Sequence, residues 1–134
     1  MEEREDPIAT AIRRHLDQEG MLSCAAAFRI ARELDVQPSA VGQAADALGV
    51  RLNRCQLGLF GYGPKAEGRH KIVQPAETVE PGLAQAIRDN LVEGKLPCRA
   101  AWEIASALRI PKMDVSAAAE ALGVKITRCQ LGAF

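Results

Sequence analysis

Residues 24–60 read CAAAFRIARELDVQPSAVGQAADALGVRLNRCQLGLF, and residues 98–134 read CRAAWEIASALRIPKMDVSAAAEALGVKITRCQLGAF. The two stretches align without a gap from Cys24/Cys98 to Cys55/Cys129 and beyond. About half of the aligned positions are identical, which marks an internal duplication. The similarity extends to the preceding segment, where AIRRHL at 11–16 matches AIRDNL at 86–91. The chain therefore consists of two related units, each about 50 residues long.

The composition excludes several classes of protein. The chain has 134 residues, of which 48% are hydrophobic and 4% aromatic. It is too apolar for a disordered chain, and its alanine-rich, aromatic-poor core favours packed helices over a β-sandwich. No apolar run reaches the roughly 18–20 residues that span a bilayer. The acidic start MEEREDP is unlike a secretory signal or a transit peptide, so we expect a cytoplasmic protein.

Each copy predicts the same order of elements. In the first copy, the spacing of apolar residues predicts helices over 8–18, 24–34 and 38–48; in the second, the first and third counterparts cover 81–92 and 112–122. Alternating apolar and charged residues predict short strands at 50–54 and 124–128. We therefore expect a mainly α fold with short β-strands, in which repeats at 8–60 and 81–134 are joined by a linker at 61–80 with an extended segment at 71–73.

Two or three extended residues also follow each first helix, at Met21-Leu22 and Lys95-Leu96. The resulting order of helix, short strand, helix, tight turn, helix and strand resembles that of the winged helix-turn-helix superfamily. The segments FRIARELDVQPSAV at 28–41 and WEIASALRIPKMDV at 102–115 carry the resemblance, with Ala31 and Ala105 where the superfamily places a small residue. Two features depart from it: Asp35 or Arg109 replaces the usual turn glycine, and little sequence follows the second strand, so we expect no full wing there. The resemblance implies two such units with pseudo-two-fold symmetry.

The resemblance also implies that the third helix of each copy enters a DNA major groove. Gln43 has the chemistry to read adenine, and Lys112 can bind guanine or phosphate. Asp46 and Glu120 have the opposite effect, because phosphates repel carboxylates. We therefore predict a DNA-binding transcription regulator. The candidate DNA contacts are Gln37, Ser39, Gln43, Arg51, Arg54, Lys112, Ser116, Lys125 and Arg128.

The charges limit how strong that contact can be. The 17 basic and 17 acidic residues cancel, which argues against a general polyanion binder. The distribution is uneven, because residues 1–19 are acidic and the two predicted strands are basic. We expect contact with DNA to rely on the strands and to be weak and salt-sensitive unless a dimer doubles it. A further basic cluster in the linker consists of Lys65, Arg69, His70 and Lys71.

A protein–protein adaptor is the alternative to a DNA-binding regulator. Alanines recur along both third helices, and small side chains allow a partner helix or a second copy of the chain to approach closely. Neither alternative is an enzyme. No nucleophile-elbow, zinc-protease or phosphate-loop pattern is present, and neither of the two histidines is repeated in the other copy.

The four cysteines are part of the repeat and allow three interpretations. Each copy has one cysteine at the expected start of its second helix and one in the motif RCQLG. They can be small buried apolar residues. Their positions at helix starts and beside arginine would also suit redox-sensitive thiolates. A four-cysteine iron–sulfur or other metal site is the third interpretation. The cysteines are Cys24, Cys55, Cys98 and Cys129.

Overall fold

The computed structural model describes residues 6–63 and 70–133, which form two compact units. Of the described residues, unit 1 comprises 6–55 and 131–133, and unit 2 comprises 56–63 and 70–130. The structure is mainly helical with short strands, which confirms the predicted class. Within the described part of the chain, no helix is long and apolar enough to cross a membrane.

Unit 1 contains three helices and two short strands. These are α1 Pro7–Arg14, β1 Leu22–Ser23, α2 Cys24–Leu34, α3 Pro38–Ala47 and β2 Leu52–Asn53. Local sequence sets the helix starts. The Asp6 carboxylate accepts a hydrogen bond from the N–H of Ile8 at 3.0 Å, and the Ser23 hydroxyl accepts one from Ala26 at 3.1 Å. Each side chain satisfies a donor that has no partner within its helix.

Unit 2 repeats this order. Its elements are α4 Pro81–Asp89, β3 Leu96–Pro97, α5 Cys98–Leu108, α6 Lys112–Ala121 and β4 Ile126–Thr127. Pro81 begins α4, and Pro97 and Pro111 occupy the positions just before α5 and α6. Proline suits helix starts because its fixed φ fits there and its missing N–H leaves no helix hydrogen bond unmade. Backbone conformation alone therefore sets starts that unit 1 sets partly with side-chain caps.

The core of each unit lies between its three helices. Equivalent apolar side chains fill both cores, and alanines on the second and third helices let the helix backbones approach closely. The matched pairs of buried residues are Ile12/Ile87, Leu22/Leu96, Ile30/Ile104, Val41/Val115 and Ala45/Ala119.

Each unit has one two-stranded parallel sheet. In unit 1, Leu22 pairs with Leu52 and Ser23 with Asn53. In unit 2, β3 and β4 pair in the same register. No third strand returns alongside either pair within the described residues, so neither sheet there has a wing hairpin.

The limits of the units differ from those of the repeats. Residues 56–60 come from the first repeat but belong to unit 2, and residues 131–133 come from the second repeat but belong to unit 1. We call these the exchanged segments. In unit 1 the carbonyl oxygen of Leu131 lies so close to α3 that a Cβ on Gly42 would be 1.8 Å from it. In unit 2 the carbonyl oxygen of Gly58 accepts hydrogen bonds from the N–H groups of Ile72 and Val73 at 2.9 and 3.2 Å.

The described end of the predicted linker, residues 70–80, packs within unit 2. Val73 is buried, and the N–H of Ala76 donates to the carbonyl of Ala117 in α6 at 3.0 Å. The Lys71 ammonium pairs with the Glu120 carboxylate, also in α6. Residues 71–73, which the sequence predicts to be extended, form no strand. This segment therefore covers part of α6.

Candidate nucleic-acid interface

The second and third helices of each unit are joined by the same tight turn. Asp35 ends α2 with φ 54° and ψ 50°, and Arg109 ends α5 with φ 56° and ψ 46°. This left-handed conformation is the one for which glycine is usually chosen. The following N–H groups, of Val36 and Ile110, bond back to the helix carbonyls of Ala31 and Ala105 at 3.0 Å. The turn geometry is thus retained although neither copy has the glycine.

Unit 1 presents a polar strip along α3, which consists of Gln37, Ser39 and Gln43. All three side chains are exposed. Gln37 lies at the N-cap, and Ser39 and Gln43 are four residues apart and so share one face of the helix. The opposite face is buried through Val41 and Ala45. The strip therefore offers amide and hydroxyl groups to an external ligand.

The corresponding helix of unit 2 presents less. Lys112 is half-buried, and its ammonium lies 4.4 Å from the centre of the Trp102 ring. Ser116 is fully buried, and its hydroxyl has no hydrogen-bond partner within residues 6–63 and 70–133. Packing therefore removes the Ser116 side chain from the surface, where the predicted contact with DNA would need it. Glu120, at the far end of α6, is paired with Lys71.

The basic side chains predicted near the strands are all at the surface. Arg51 and Arg54 flank β2, Lys125 and Arg128 flank β4, and all four are exposed. Arg54 and Arg128 also share a left-handed backbone, with φ values of 47° and 53°. A non-glycine residue in this region costs of order 1 kcal/mol, so its recurrence at equivalent positions calls for an explanation.

Asp17 is a polar residue near this site that the sequence reasoning did not identify. One of its carboxylate oxygens accepts hydrogen bonds from the N–H groups of Glu19 and Met21, and the other accepts one from the Asn53 amide at 2.9 Å. The Met21 N–H and then the Asn53 amide are the main reasons why the pKa of Asp17 lies below its usual value, and the charge of Arg54 acts in the same direction. The sequence pattern that could have identified Asp17 is an aspartate three residues before a glycine, which is typical of a turn stabilised by a side chain.

The described part of the linker cluster, His70 and Lys71, does not form a free basic patch. Lys65 and Arg69 lie outside the described residues. His70 is half-buried, and its Nδ1 atom is buried without a hydrogen-bond partner among the residues that the structure describes. Lys71 forms the ion pair with Glu120. The described part of the cluster therefore serves unit 2 itself.

None of the four cysteines, all of which lie in the described part of the chain, forms a disulfide bond. Cys24 and Cys98 are the first residues of α2 and α5 and are buried, as is Cys55, whereas Cys129 is half-buried. The Gln130 amide donates to the Cys98 sulfur at 3.6 Å. Over residues 6–63 and 70–133, no three histidine, cysteine or acidic side chains lie close enough together to hold a metal ion. The described cysteines thus offer no ready-made cluster site.

Comparisons with models of protein families, with curated proteins and with solved structures found no match to this chain.

Proposed function

We propose that the chain is a DNA-binding transcription regulator built from two units of the winged helix-turn-helix type without complete wings. In this proposal α2, the turn and α3 of unit 1 form the reading module, with α3 in the major groove. The exposed basic residues around β2 and β4 contact phosphates. Sequence selectivity then comes from one unit, and non-specific affinity comes from both.

The polar strip on α3 is the observation that carries this proposal. In helix-turn-helix proteins the N-terminal part of the third helix reaches the base edges, and Gln37 and Ser39 lie there. Gln43 follows one turn later and can bond an adenine through both atoms of its amide. A surface helix with no ligand has no need of this particular combination, although it tolerates it.

The two left-handed arginines give independent support. Glycine or asparagine would relieve the backbone at positions 54 and 128, yet both copies have an exposed arginine there. Strained residues tend to persist where a function requires their side chains. A phosphate contact is such a requirement, because it uses the guanidinium as a charged, forked donor.

The balance of charge predicts modest affinity. Residues 6–55 contain six arginines and six acidic residues, so unit 1 has no large positive field. Asp35 and Asp46 are exposed, and both are near the residues of the polar strip in the sequence. Their carboxylates are repelled by the phosphates of DNA. We therefore expect binding that is specific but sensitive to salt.

Selection from a random duplex library, followed by fluorescence anisotropy with the selected duplex, tests the proposal. Gln43→Ala should reduce the preference for the selected site by about five- to 100-fold, the range for one good base contact. Arg51→Ala and Arg54→Ala should weaken binding to all sequences and lower the salt slope by about 0.9 each. Arg88→Ala, which removes an exposed charge at the end of α4, is the matched control.

Two results would contradict the proposal. Absence of binding at about 50 mM salt would remove DNA as the ligand. Unchanged binding in the double variant Arg54→Ala, Arg128→Ala would show that the basic contacts are assigned incorrectly.

A protein-interaction adaptor is the second candidate. The observation that favours it is the balanced charge of unit 1, together with the covering of α6 by its own chain. It predicts a stoichiometric complex with a protein partner and no duplex selected above background. In that case Gln43→Ala should weaken the protein complex instead.

A further inference from the structure

Unit 2 contains a pocket of about 500 Å³ that no part of the DNA-binding proposal uses. It lies between the segment 76–80, the start of α4, the end of α5 and α6. Its volume falls within the roughly 300–1,000 Å³ typical of small-molecule sites. Leu83, Leu108 and Ile110 provide much of its apolar wall, and Ala117 and Ala118 leave room because their side chains are small.

The apolar wall of this pocket is partly exposed. Leu108 is 43% exposed and is among the few large apolar side chains at the surface of the described chain. When a ligand covers a leucine that lines an open pocket, the free energy of the complex falls roughly in proportion to the apolar area removed from water. The wall therefore favours a ligand with an apolar body.

The charged groups of the pocket are two carboxylates. Glu80 lies at the N-cap of α4 without capping it, and Asp114 lies in the first turn of α6. Neither side chain forms an ion pair or a side-chain hydrogen bond within the described structure. Among the described residues that line the pocket there is no lysine or arginine. Both carboxylates lie at helix N-termini, where the helix dipole stabilises their charge, but neither has a cationic side chain as partner among the described residues. Their combined negative charge favours a positively charged ligand.

We propose that this pocket binds an organic cation, namely an ammonium group that carries an apolar chain or ring. The apolar body lies against Leu83, Leu108 and Ile110, and the ammonium lies near Glu80 and Asp114. The proposal does not depend on DNA binding, since all of these residues belong to unit 2 and none belongs to the polar strip.

The first repeat differs at two of the pocket positions on the third helix. Alanine at position 40 aligns with Asp114, and Gln43 aligns with Ala117. Unit 1 therefore has no carboxylate at the first position and has a larger polar side chain at the second. The difference between Gln43 and Ala117 therefore has two effects. It fills the position that is open in the pocket of unit 2, and it contributes Gln43 to the polar strip of unit 1. The two copies have thus diverged toward a surface site in one unit and a pocket in the other.

Nuclear magnetic resonance of the full-length, ¹⁵N-labelled chain provides the test, with hexyltrimethylammonium as the probe. We expect saturable shifts of the amides in 76–83 and 108–118. Tetramethylammonium, which lacks the apolar chain, and hexanesulfonate, which reverses the charge, should bind at least about ten-fold more weakly. The same spectra show whether each variant is folded.

Substitutions then separate the two parts of the site. Glu80→Gln and Asp114→Asn should each weaken probe binding by about two- to five-fold, as expected for partly exposed charge pairs. Leu108→Ser should weaken it as well. Glu77→Gln, at an exposed carboxylate that does not line the pocket, is the control and should leave binding unchanged.

Several outcomes would overturn the proposal. They are no saturable shift up to about 10 mM probe, equal binding of hexanesulfonate, shifts that map outside the pocket, and unchanged binding in the folded double variant Glu80→Gln, Asp114→Asn. Loss of DNA binding in the separate anisotropy experiment would not affect this result.

Discussion

Replacing Gly42 with alanine tests whether the exchanged segment 131–133 completes unit 1. Gly42 lies inside α3 and is buried. An added Cβ would lie 1.8 Å from the carbonyl oxygen of Leu131 and 2.8 Å from its carbonyl carbon. Because carbon and oxygen normally approach no closer than about 3.3 Å, the segment would have to move by about 1.5 Å. The obstacle is backbone, so no side-chain rotation relieves it.

Two opposing terms set the size of the effect. Alanine in place of glycine inside a helix contributes about 1 kcal/mol of stability. Displacing Leu131, which is buried in the structure, loses about 1.5–3 kcal/mol of apolar burial. The full-length Gly42→Ala variant should therefore be less stable by about 0.5–2 kcal/mol. In a chain that stops at Gln130, the same substitution should be stabilising by about 1 kcal/mol, because only the helix term remains.

Urea unfolding followed by circular dichroism measures all four proteins of this double-mutant cycle. Hydrogen exchange of the α3 amides adds a local measurement in unit 1. Gly82→Ala is the matched control, since Gly82 lies in α4 and an added Cβ meets nothing within 4 Å. It should be neutral or stabilising by up to about 1 kcal/mol.

The sign of the effect decides the outcome. If Gly42→Ala stabilises the full-length chain as much as the truncated one, then the segment 131–133 does not lie against α3. The assignment of these residues to unit 1 would then be wrong.

Further predictions concern a carboxylate, a strained turn and the thiols. Because the pKa of Asp17 is lowered in the folded chain, its contribution to stability should be complete above the ordinary value of 3.8 and lost as the pH falls through the folded pKa. Asp17→Asn should flatten that acid limb in pH-dependent urea unfolding, and an equally steep limb would contradict this. Arg109→Gly should raise thermal stability by about 0.5–1 kcal/mol, because glycine adopts the left-handed turn without strain; a lower melting temperature would refute it. Cys129 should react with a thiol reagent before the three buried cysteines, whose modification should require local opening; four equal rates would argue against the observed burial.

The elements could largely be predicted from the sequence, because local signals agreed with the packing. Helix α2 spans the predicted 24–34, with a capping serine before it and a turn after it. The first helix was predicted to extend to residue 18, yet α1 ends at Arg14. The spacing of apolar residues does not predict this end, because the Asp17 carboxylate accepts hydrogen bonds from the N–H groups of Glu19 and Met21 and so stabilises a turn.

The candidate site was less predictable, because burial depends on long-range packing. Gln43 and Ser116 both lie on predicted third helices, but the structure exposes one and buries the other. A pattern was present that could have indicated this. Positions 42 and 116 align and both have small residues, which is typical of a close approach by other backbone. The sequence of one repeat does not identify the approaching backbone, because the backbone that lies against Gly42 comes from the other repeat.

The exchanged segments also explain why both repeats contain the motif RCQLG. Packing within the core of a single repeat does not account for this repetition. Leu57 and Leu131 in this motif are both buried, and the glycines that follow them have φ values of 73° and 80°. The leucine fills a core and the glycine turns the backbone. Leu57, from the first repeat, lies in unit 2, and Leu131, from the second repeat, lies in unit 1. Each copy of the motif therefore completes the unit that is built mostly from the other repeat.

For folding, the exchange makes the order of synthesis matter. A ribosome releases the first repeat before it has made residues 131–133, so unit 1 cannot be completed while the chain is still short. The contact between α3 and Leu131 joins distant parts of the sequence and raises the contact order, which slows folding relative to two independent helical modules. In return, the first repeat by itself cannot form a finished unit 1, because it lacks residues 131–133. The duplication has therefore produced a protein in which the unit built mostly from the first repeat depends on residues synthesised near the end of the second repeat.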